Sequence, residues 1–158
     1  MFDGSNDILQ VVRAIDQAAW DRKIKGIYIN IRYGSISAAN LEELRTAILK
    51  FKADSGKFVI AYSDSYSQLE YYFASVADRV YLNPEGNVYW KGLSSNVLFY
   101  KKMFDKLSLH TEIIRHGKFK SAVEPFMLEK MSPESHLQTM TMLASIWAGM
   151  VYDISESR

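Results

Sequence analysis

The run GIYINI (residues 26–31) is apolar on both faces and rich in β-branched residues. Such a run is typical of a strand buried within a parallel sheet. A second run of this kind, FVIAY (residues 58–62), comes after a segment in which Leu41, Leu44, Ile48 and Phe51 recur at helical spacing. Two buried strands joined by a helix predict a parallel pair with a crossover connection. Since helices and strands keep alternating, the sequence predicts an α/β fold with a largely parallel sheet flanked by helices.

Local signals place the other elements. Apolar residues at intervals of three and four from Ile8 to Ala19 predict a first helix with Ser5 as its N-cap. The second helix is expected to begin at the N-cap Asn40 and to end just before Gly56. The remaining predictions are a short helix over Leu69 to Val76, strands at 79–82, 87–90 and 110–115, a turn at 83–86, a helix capped by Ser94 or Ser95, and a last helix starting at Ser132-Pro133-Glu134.

Length and composition exclude several classes of protein. The 158 residues are enough for one domain, so we predict a single domain over 1–158. A net charge of +1 gives no electrostatic case for nucleic acid, and the absence of cysteine excludes disulfides and thiolate metal sites. The three histidines lack metal-ligand spacing, and no glycine-rich phosphate loop is present, so no metal or cofactor is expected. No apolar run approaches the roughly 18 residues that span a bilayer.

Lys120 lies at the centre of the segment HGKFKSAVEPFMLEKMSP (residues 116–133), among apolar side chains. Burial disfavours the charged ammonium and lowers its pKa, and a lysine acts as a base only after losing its proton. From spacing alone a solvated surface lysine is the commoner interpretation. The segment therefore marks Lys120 as a candidate general base without deciding the matter.

The run KSAVEPF (residues 120–126), followed by Met131-Ser132-Pro133, resembles the lysine segment of the signal peptide peptidase A (protease IV) family. The resemblance extends over nearly the whole chain and matches the N-terminal repeat of the long, tandem-repeat form. It implies a Clp protease/crotonase-like fold and peptide-bond hydrolysis through an acyl-enzyme, without a cofactor. It further implies that Lys120 is the general base of a Ser/Lys dyad. The chain is accordingly expected to be a fragment of a longer protein.

The sequence offers serines at the junction between a strand and a helix, where α/β hydrolases can expose a nucleophile: Ser63, Ser65 and Ser67. Turn and N-cap serines are the commoner interpretation there. The nucleophile-bearing repeat of the family has Ser-Gly-Gly-Tyr-Tyr at this junction. Anchoring on Tyr71-Tyr72 places Gln68 at the nucleophile position, with Leu69 and Glu70 in place of the glycines. The resemblance thus implies a degenerate repeat that supplies the lysine while the C-terminal repeat supplies the serine.

Three further residues are candidates for orienting the lysine or contacting substrate. Glu124 lies four residues after Lys120, where a helix would pair the two and keep the amine protonated. Pro125 disfavours the α conformation at Glu124, so a loop or helix end is expected and a structural role is favoured over an orienting one. Ser121 could hydrogen-bond the amine, and Arg32 could hold a substrate carboxylate or backbone, although a solvated loop arginine is the commoner interpretation.

The resemblance also implies partners and location. The partners would be the C-terminal repeat of the same protein, further copies in a homo-oligomer, and signal peptides or other apolar peptides. An anchor upstream of this soluble fragment would hold the intact protein on the extracytoplasmic side of the bacterial cytoplasmic membrane, and the fragment alone would be inactive. The aromatic residues between Tyr71 and Tyr100 are expected mostly in the core, with some of this surface packing on a partner.

Two other functions compete with the peptidase hypothesis. A non-catalytic crotonase-like module that only builds an oligomer would also explain the degenerate stretch Gln68-Leu69-Glu70. An acyl-CoA-binding crotonase would share the fold, but no oxyanion glycines can be identified for it.

Overall fold

The computed structural model describes residues 8–31, 36–109 and 121–158. The chain divides into two compact units, one formed by Met1–Lys91 with Met150–Arg158 and the other by Gly92–Gly149. That they make up a single domain remains a prediction.

Unit 1 contains eight elements in its described residues. These are α1 (Ile8–Trp20), β1 (Gly26–Asn30), α2 (Ala38–Ser55), β2 (Phe58–Ser63), β3 (Tyr66–Ser67), α3 (Gln68–Ala74), β4 (Arg79–Leu82) and β5 (Val88–Tyr89). Three strands form a sheet in the order β1-β2-β4, and β3 pairs with β5 in a second, small sheet. Every pairing is parallel, with Ile27 opposite Val59 and Ala61 opposite Val80. The α/β class with parallel sheets is thereby confirmed.

The larger sheet is covered by helices on one face. Val59 and Ala61 point into a core that also contains Phe51 of α2 and Ala19 of α1. Alternate residues point the other way, and Tyr28 on that opposite face is 60% exposed. The expectation that GIYINI is buried on both faces is therefore wrong for the described residues. The burial of β1 and β2 alternates instead, as in a sheet with one covered face.

The ends of α2 are set by local hydrogen bonds. Its N-cap is Ser37, whose side chain accepts a hydrogen bond from the Asn40 backbone N–H, so Asn40 lies inside the helix and its prediction as the cap was wrong. At the other end Gly56 adopts a left-handed conformation (φ 64°) and donates its N–H to the Lys52 carbonyl. That position favours glycine, and the predicted helix end is confirmed.

The described residues of unit 2 contain less regular structure. Its described elements are α4 (Lys101–Lys106), a 3₁₀ turn (Ser121–Val123), α5 (Glu124–Met127) and the first part of α6 (Pro133–Ser157), whose last turns belong to unit 1. The helix predicted after Ser94 or Ser95 begins only at Lys101. One reason is that the Tyr100 N–H donates to the Pro125 carbonyl, 2.7 Å away. This N–H is therefore used in a tertiary contact and makes no hydrogen bond within a helix. The predicted strand at 110–115 lies outside the described residues.

The start of α6 agrees with the sequence, because the Ser132 hydroxyl accepts a hydrogen bond from the Ser135 N–H at 3.1 Å. Much of the predicted apolar face of this helix is exposed, including Leu137, Met140 and Val151. The aromatic residues are also less buried than expected, since Tyr81 and Trp90 are exposed while Tyr72 is buried. Across the described ranges, no helix combines the length and apolar character needed to cross a membrane.

Candidate functional site

Two of the predicted site residues, Lys120 and Arg32, lie outside the described residues, and only the backbone of Ser121 is described. Their catalytic and substrate-binding roles stay predictions. The structure does describe the part of the chain just after Lys120, namely the 3₁₀ turn, α5 and the start of α6. It also describes Gln68, which the family resemblance matches to the nucleophile position.

Glu124 opens α5 and is 2% exposed. Both of its carboxylate oxygens accept hydrogen bonds from Ser132: Oε1 from the hydroxyl at 2.6 Å and Oε2 from the backbone N–H at 3.1 Å. Because a buried carboxylate is costly unless it is hydrogen-bonded, this double contact accounts for the burial. The helix end expected at Glu124 is observed, and an orienting role for this residue stays a prediction.

The turn is also held from α4. Besides the bond from Tyr100 N–H to the Pro125 carbonyl, Phe126 stacks on Tyr100 and Phe104 with ring centroids 5.8 and 6.1 Å apart. The pair between Lys102 and Glu129, 3.1 Å apart just after α5, is exposed on both sides and contributes little to holding this turn. A cavity of about 210 Å³ adjoins this turn, lined by Phe99, Ala122, Glu124, Pro125 and Met131 among others. The segment after Lys120 is thus anchored on several sides.

At the strand-to-helix junction, the serines take part in structural hydrogen bonds. Ser67 is the N-cap of α3: its hydroxyl accepts from the Glu70 N–H, and the Glu70 carboxylate accepts from the Ser67 N–H at 2.7 Å. The buried Ser63 hydroxyl donates to the Ser65 carbonyl at 2.5 Å. These contacts match turn and cap roles. Gln68 is the first residue of α3, so the matched nucleophile position does lie at a helix start.

A polar cluster at the carboxyl ends of β2 and β4 was not predicted. The Tyr62 hydroxyl donates to Asp64 Oδ1 at 2.8 Å, and the Asn83 amide donates to the same oxygen at 3.2 Å. The hydrogen bond to Asp64 raises the pKa of Tyr62. Gly86 packs against this loop so closely that a Cβ there would lie 1.9 Å from the Asp64 carbonyl oxygen. The only sequence signal was the turn-forming Asn83-Pro84-Glu85-Gly86 run, and the cluster organises the loops at this edge.

Within the three described ranges, no group of three or more His, Asp or Glu side chains is arranged to hold a metal ion.

Comparison with known proteins adds independent information. The family model described as peptidase family S49 matches residues 51–158. A Protease 4 of Haemophilus influenzae is 45% identical over 149 residues, which cover 94% of this chain and 24% of that protein. A Protease 4 of Salmonella typhi is 36% identical over 97% of this chain and 25% of its own length. The chloroplastic serine protease SPPA of Arabidopsis thaliana is 27% identical over 99% of this chain and 23% of its own length. The chain spans about a quarter of the length of these relatives.

Proposed function

This chain belongs to peptidase family S49, and from that premise we propose that it is the lysine-bearing domain of a serine endopeptidase. The observation that carries the proposal is the run from Lys120 to Phe126 with Met131-Ser132-Pro133, which lies inside the range that the family model matches. The names of the relatives, Protease 4 and serine protease SPPA, agree with a peptidase.

Lys120 would act as the general base. Its neutral amine takes the proton of a serine hydroxyl while the serine oxygen attacks the scissile carbonyl carbon. The resulting ammonium returns that proton to the leaving amine as the peptide bond breaks and the acyl-enzyme forms. The amine then takes a proton from water, which attacks the ester, and the serine is regenerated with release of the acid product. No metal or cofactor is needed for any of these steps.

The serine would come from another part of the intact protein, the C-terminal repeat. Gln68 stands at the nucleophile position of this repeat, and Leu69 and Glu70 replace the glycines that would let the backbone donate to an oxyanion. Ser63 and Ser67 take part in turn and cap hydrogen bonds. These features support a division of the dyad between two repeats, with the isolated fragment inactive.

Membership of the family also bears on the architecture, partners, substrates and location of the intact protein. The parallel three-stranded sheet, the small second sheet and the flanking helices are compatible with the Clp protease/crotonase architecture. Exposed apolar residues on α6, such as Leu137 and Met140, suit packing on the C-terminal repeat or on another copy in a homo-oligomer. The substrates would be signal peptides or other apolar peptides, met by a membrane-anchored protein outside the bacterial cytoplasm.

A non-catalytic assembly module is the second candidate, favoured by the degenerate stretch Gln68-Leu69-Glu70. The two candidates differ in the protonation of Lys120. A base needs a pKa for Lys120 near neutrality, whereas a scaffold lysine would titrate near the model-peptide value of about 10.4. Titration of the intact protein, observed by NMR of labelled lysine, separates them.

The activity test compares peptide hydrolysis by the intact wild-type protein and its Lys120→Ala variant. We expect the variant to lose activity by at least about a hundredfold, the low end of what a positioned base contributes. Lys130→Ala is the matched control, since Lys130 lies in the same segment and is exposed. Undiminished hydrolysis by Lys120→Ala would refute the proposal.

A further inference from the structure

The contact between Glu124 and Ser132 closes a loop in the segment that carries Lys120. The two residues are eight positions apart. Ser132 supplies both hydrogen-bond donors, and the Glu124 carboxylate supplies both acceptors. Glu124 is almost completely buried. The two contacts together fix the geometry of this loop, because they hold the buried carboxylate at both of its oxygens.

Ser132 is itself fixed on α6. Its hydroxyl donates to Glu124 and at the same time accepts from the Ser135 N–H, and its carbonyl accepts from the His136 N–H at 2.9 Å. The Glu124 carboxylate therefore sits at the positive end of a helix of 25 residues, where a negative charge is stabilised. The long helix α6 thus holds Glu124, the first residue of α5, in place.

The chain runs without interruption from Lys120 into the 3₁₀ turn Ser121–Val123 and from there into Glu124. Adjacent Cα atoms are joined at about 3.8 Å, so a displacement of this turn would also displace the residue bonded to it. The Leu128 N–H donates to the Glu124 carbonyl at 2.8 Å and stiffens the same turn.

We propose that Glu124 is a positioning residue for Lys120: through Ser132 it holds the turn after the lysine against the start of α6. This inference rests on the proposed function, in which Lys120 is the base. A general base must lie within hydrogen-bond reach of the proton it takes, and a displacement of about 1 Å can cost about a hundredfold in rate. Loosening the turn would leave substrate binding intact and reduce the fraction of enzyme with the amine in place.

The test uses the intact protein with four variants, Glu124→Gln, Ser132→Ala, Ser132→Thr and the double variant Glu124→Gln/Ser132→Ala, assayed well below their melting temperatures. We expect Glu124→Gln and Ser132→Ala each to lower kcat for peptide hydrolysis at least about tenfold while KM changes less than twofold. Ser132→Thr keeps the hydroxyl and should restore most of kcat. The two substitutions should be clearly non-additive in the double variant, because both disrupt the contact between Glu124 and Ser132.

Glu129→Gln is the matched control, since Glu129 is an exposed carboxylate on the same loop. It should leave kcat unchanged. If the folded Ser132→Ala and Glu124→Gln proteins keep the wild-type kcat, the positioning role is refuted. If Glu124→Gln does not fold, the comparison of Ser132→Ala with Ser132→Thr decides the question, and equal kcat values refute the role.

A parallel Lys120→Ala assay distinguishes failure of the positioning role from failure of the proposed function on which that role rests. Full activity of Lys120→Ala refutes the base itself, whatever Glu124 does. Loss of activity in Lys120→Ala, combined with wild-type kcat in the Glu124 and Ser132 variants, refutes the positioning role alone. In the Lys120→Ala background, Glu124→Gln should have no further effect on the residual rate.

Discussion

The guanidinium carbon of Arg45 lies 4.2 Å from the centre of the Tyr72 ring. Arg45 is 4% exposed and donates hydrogen bonds to the Tyr72 carbonyl, to the Ser75 hydroxyl, and, at 3.1 Å each, to the Asp153 carbonyl and the Ser157 hydroxyl. The Tyr72 hydroxyl in turn donates to the Asp153 carboxylate at 2.7 Å. Burial lowers the pKa of Arg45, whereas its interactions with Tyr72 and Asp153 act to raise that pKa. One arginine of α2 thereby joins α3 to the end of α6 within unit 1.

Replacing Arg45 with methionine tests this junction. Methionine fills similar space but removes all four hydrogen bonds that Arg45 donates in this buried junction, so the free energy of unfolding should fall by about 3 kcal/mol. Urea denaturation of the chain measures the change. Lys50→Met is the control, because the Lys50–Asp16 pair is exposed and should contribute little. Equal effects of the two substitutions would contradict the structural importance of Arg45.

Removing the Ser67 hydroxyl separates a capping serine from a nucleophile. Ser67→Ala breaks one half of the capping box of α3 and should destabilise the chain by about 1 kcal/mol. In the intact protein the same variant should react with a fluorophosphonate probe as fast as wild type, as should the control Ser65→Ala. Loss of labelling in folded Ser67→Ala protein would identify a nucleophile in this repeat.

High pH should unfold the chain through its buried tyrosines. Burial is the main cause that raises the pKa of Tyr66 and of Tyr72 to about 12, with the bond to Asp153 contributing at Tyr72. Unfolded tyrosine titrates near 10. The stabilisation is therefore complete below about pH 10 and is lost as the pH rises toward 12.

Circular dichroism and phenolate absorbance, recorded together between pH 9 and 12.5, measure this loss. Tyr66→Phe removes one of the two groups and should weaken the dependence of stability on pH in this range, although it also removes the hydrogen bond to the Tyr81 carbonyl. An unchanged pH dependence in Tyr66→Phe would contradict the assignment.

The sequence predicted those parts of the fold that local signals determine. The strand runs at 58–62 and 79–82, the end of α2 at Gly56 and the start of α6 at Ser132 all depend on neighbouring residues, and the structure confirms them. The N-cap of α2 was misplaced from Ser37 to Asn40 because both residue types are good caps. The helix after Ser94 was placed too early because a distant carbonyl, that of Pro125, takes the Tyr100 N–H.

Contacts between distant residues could not be predicted in this way. The Arg45 junction joins residues up to 112 positions apart, and no local pattern distinguishes Arg45 from a solvated helix arginine. The contact between Glu124 and Ser132 is not predicted, because each residue has a local interpretation: Glu124 precedes a proline, and Ser132 is an N-cap. Exposure of Tyr28 likewise depends on which layers cover the sheet. For the candidate site, the roles of Lys120 and Gln68 follow from the family resemblance of the sequence and stay predictions.

In the proposed mechanism, this chain supplies a base to a serine that lies outside it. The most direct measurement is fluorophosphonate labelling of the intact protein, with the labelled peptide located by mass spectrometry and the labelling rate compared between wild type, Lys120→Ala and Lys130→Ala. We expect a label on a serine outside these 158 residues and a labelling rate at least about a hundredfold lower in Lys120→Ala only. A label on a serine within this chain, or an undiminished rate in Lys120→Ala, would contradict it.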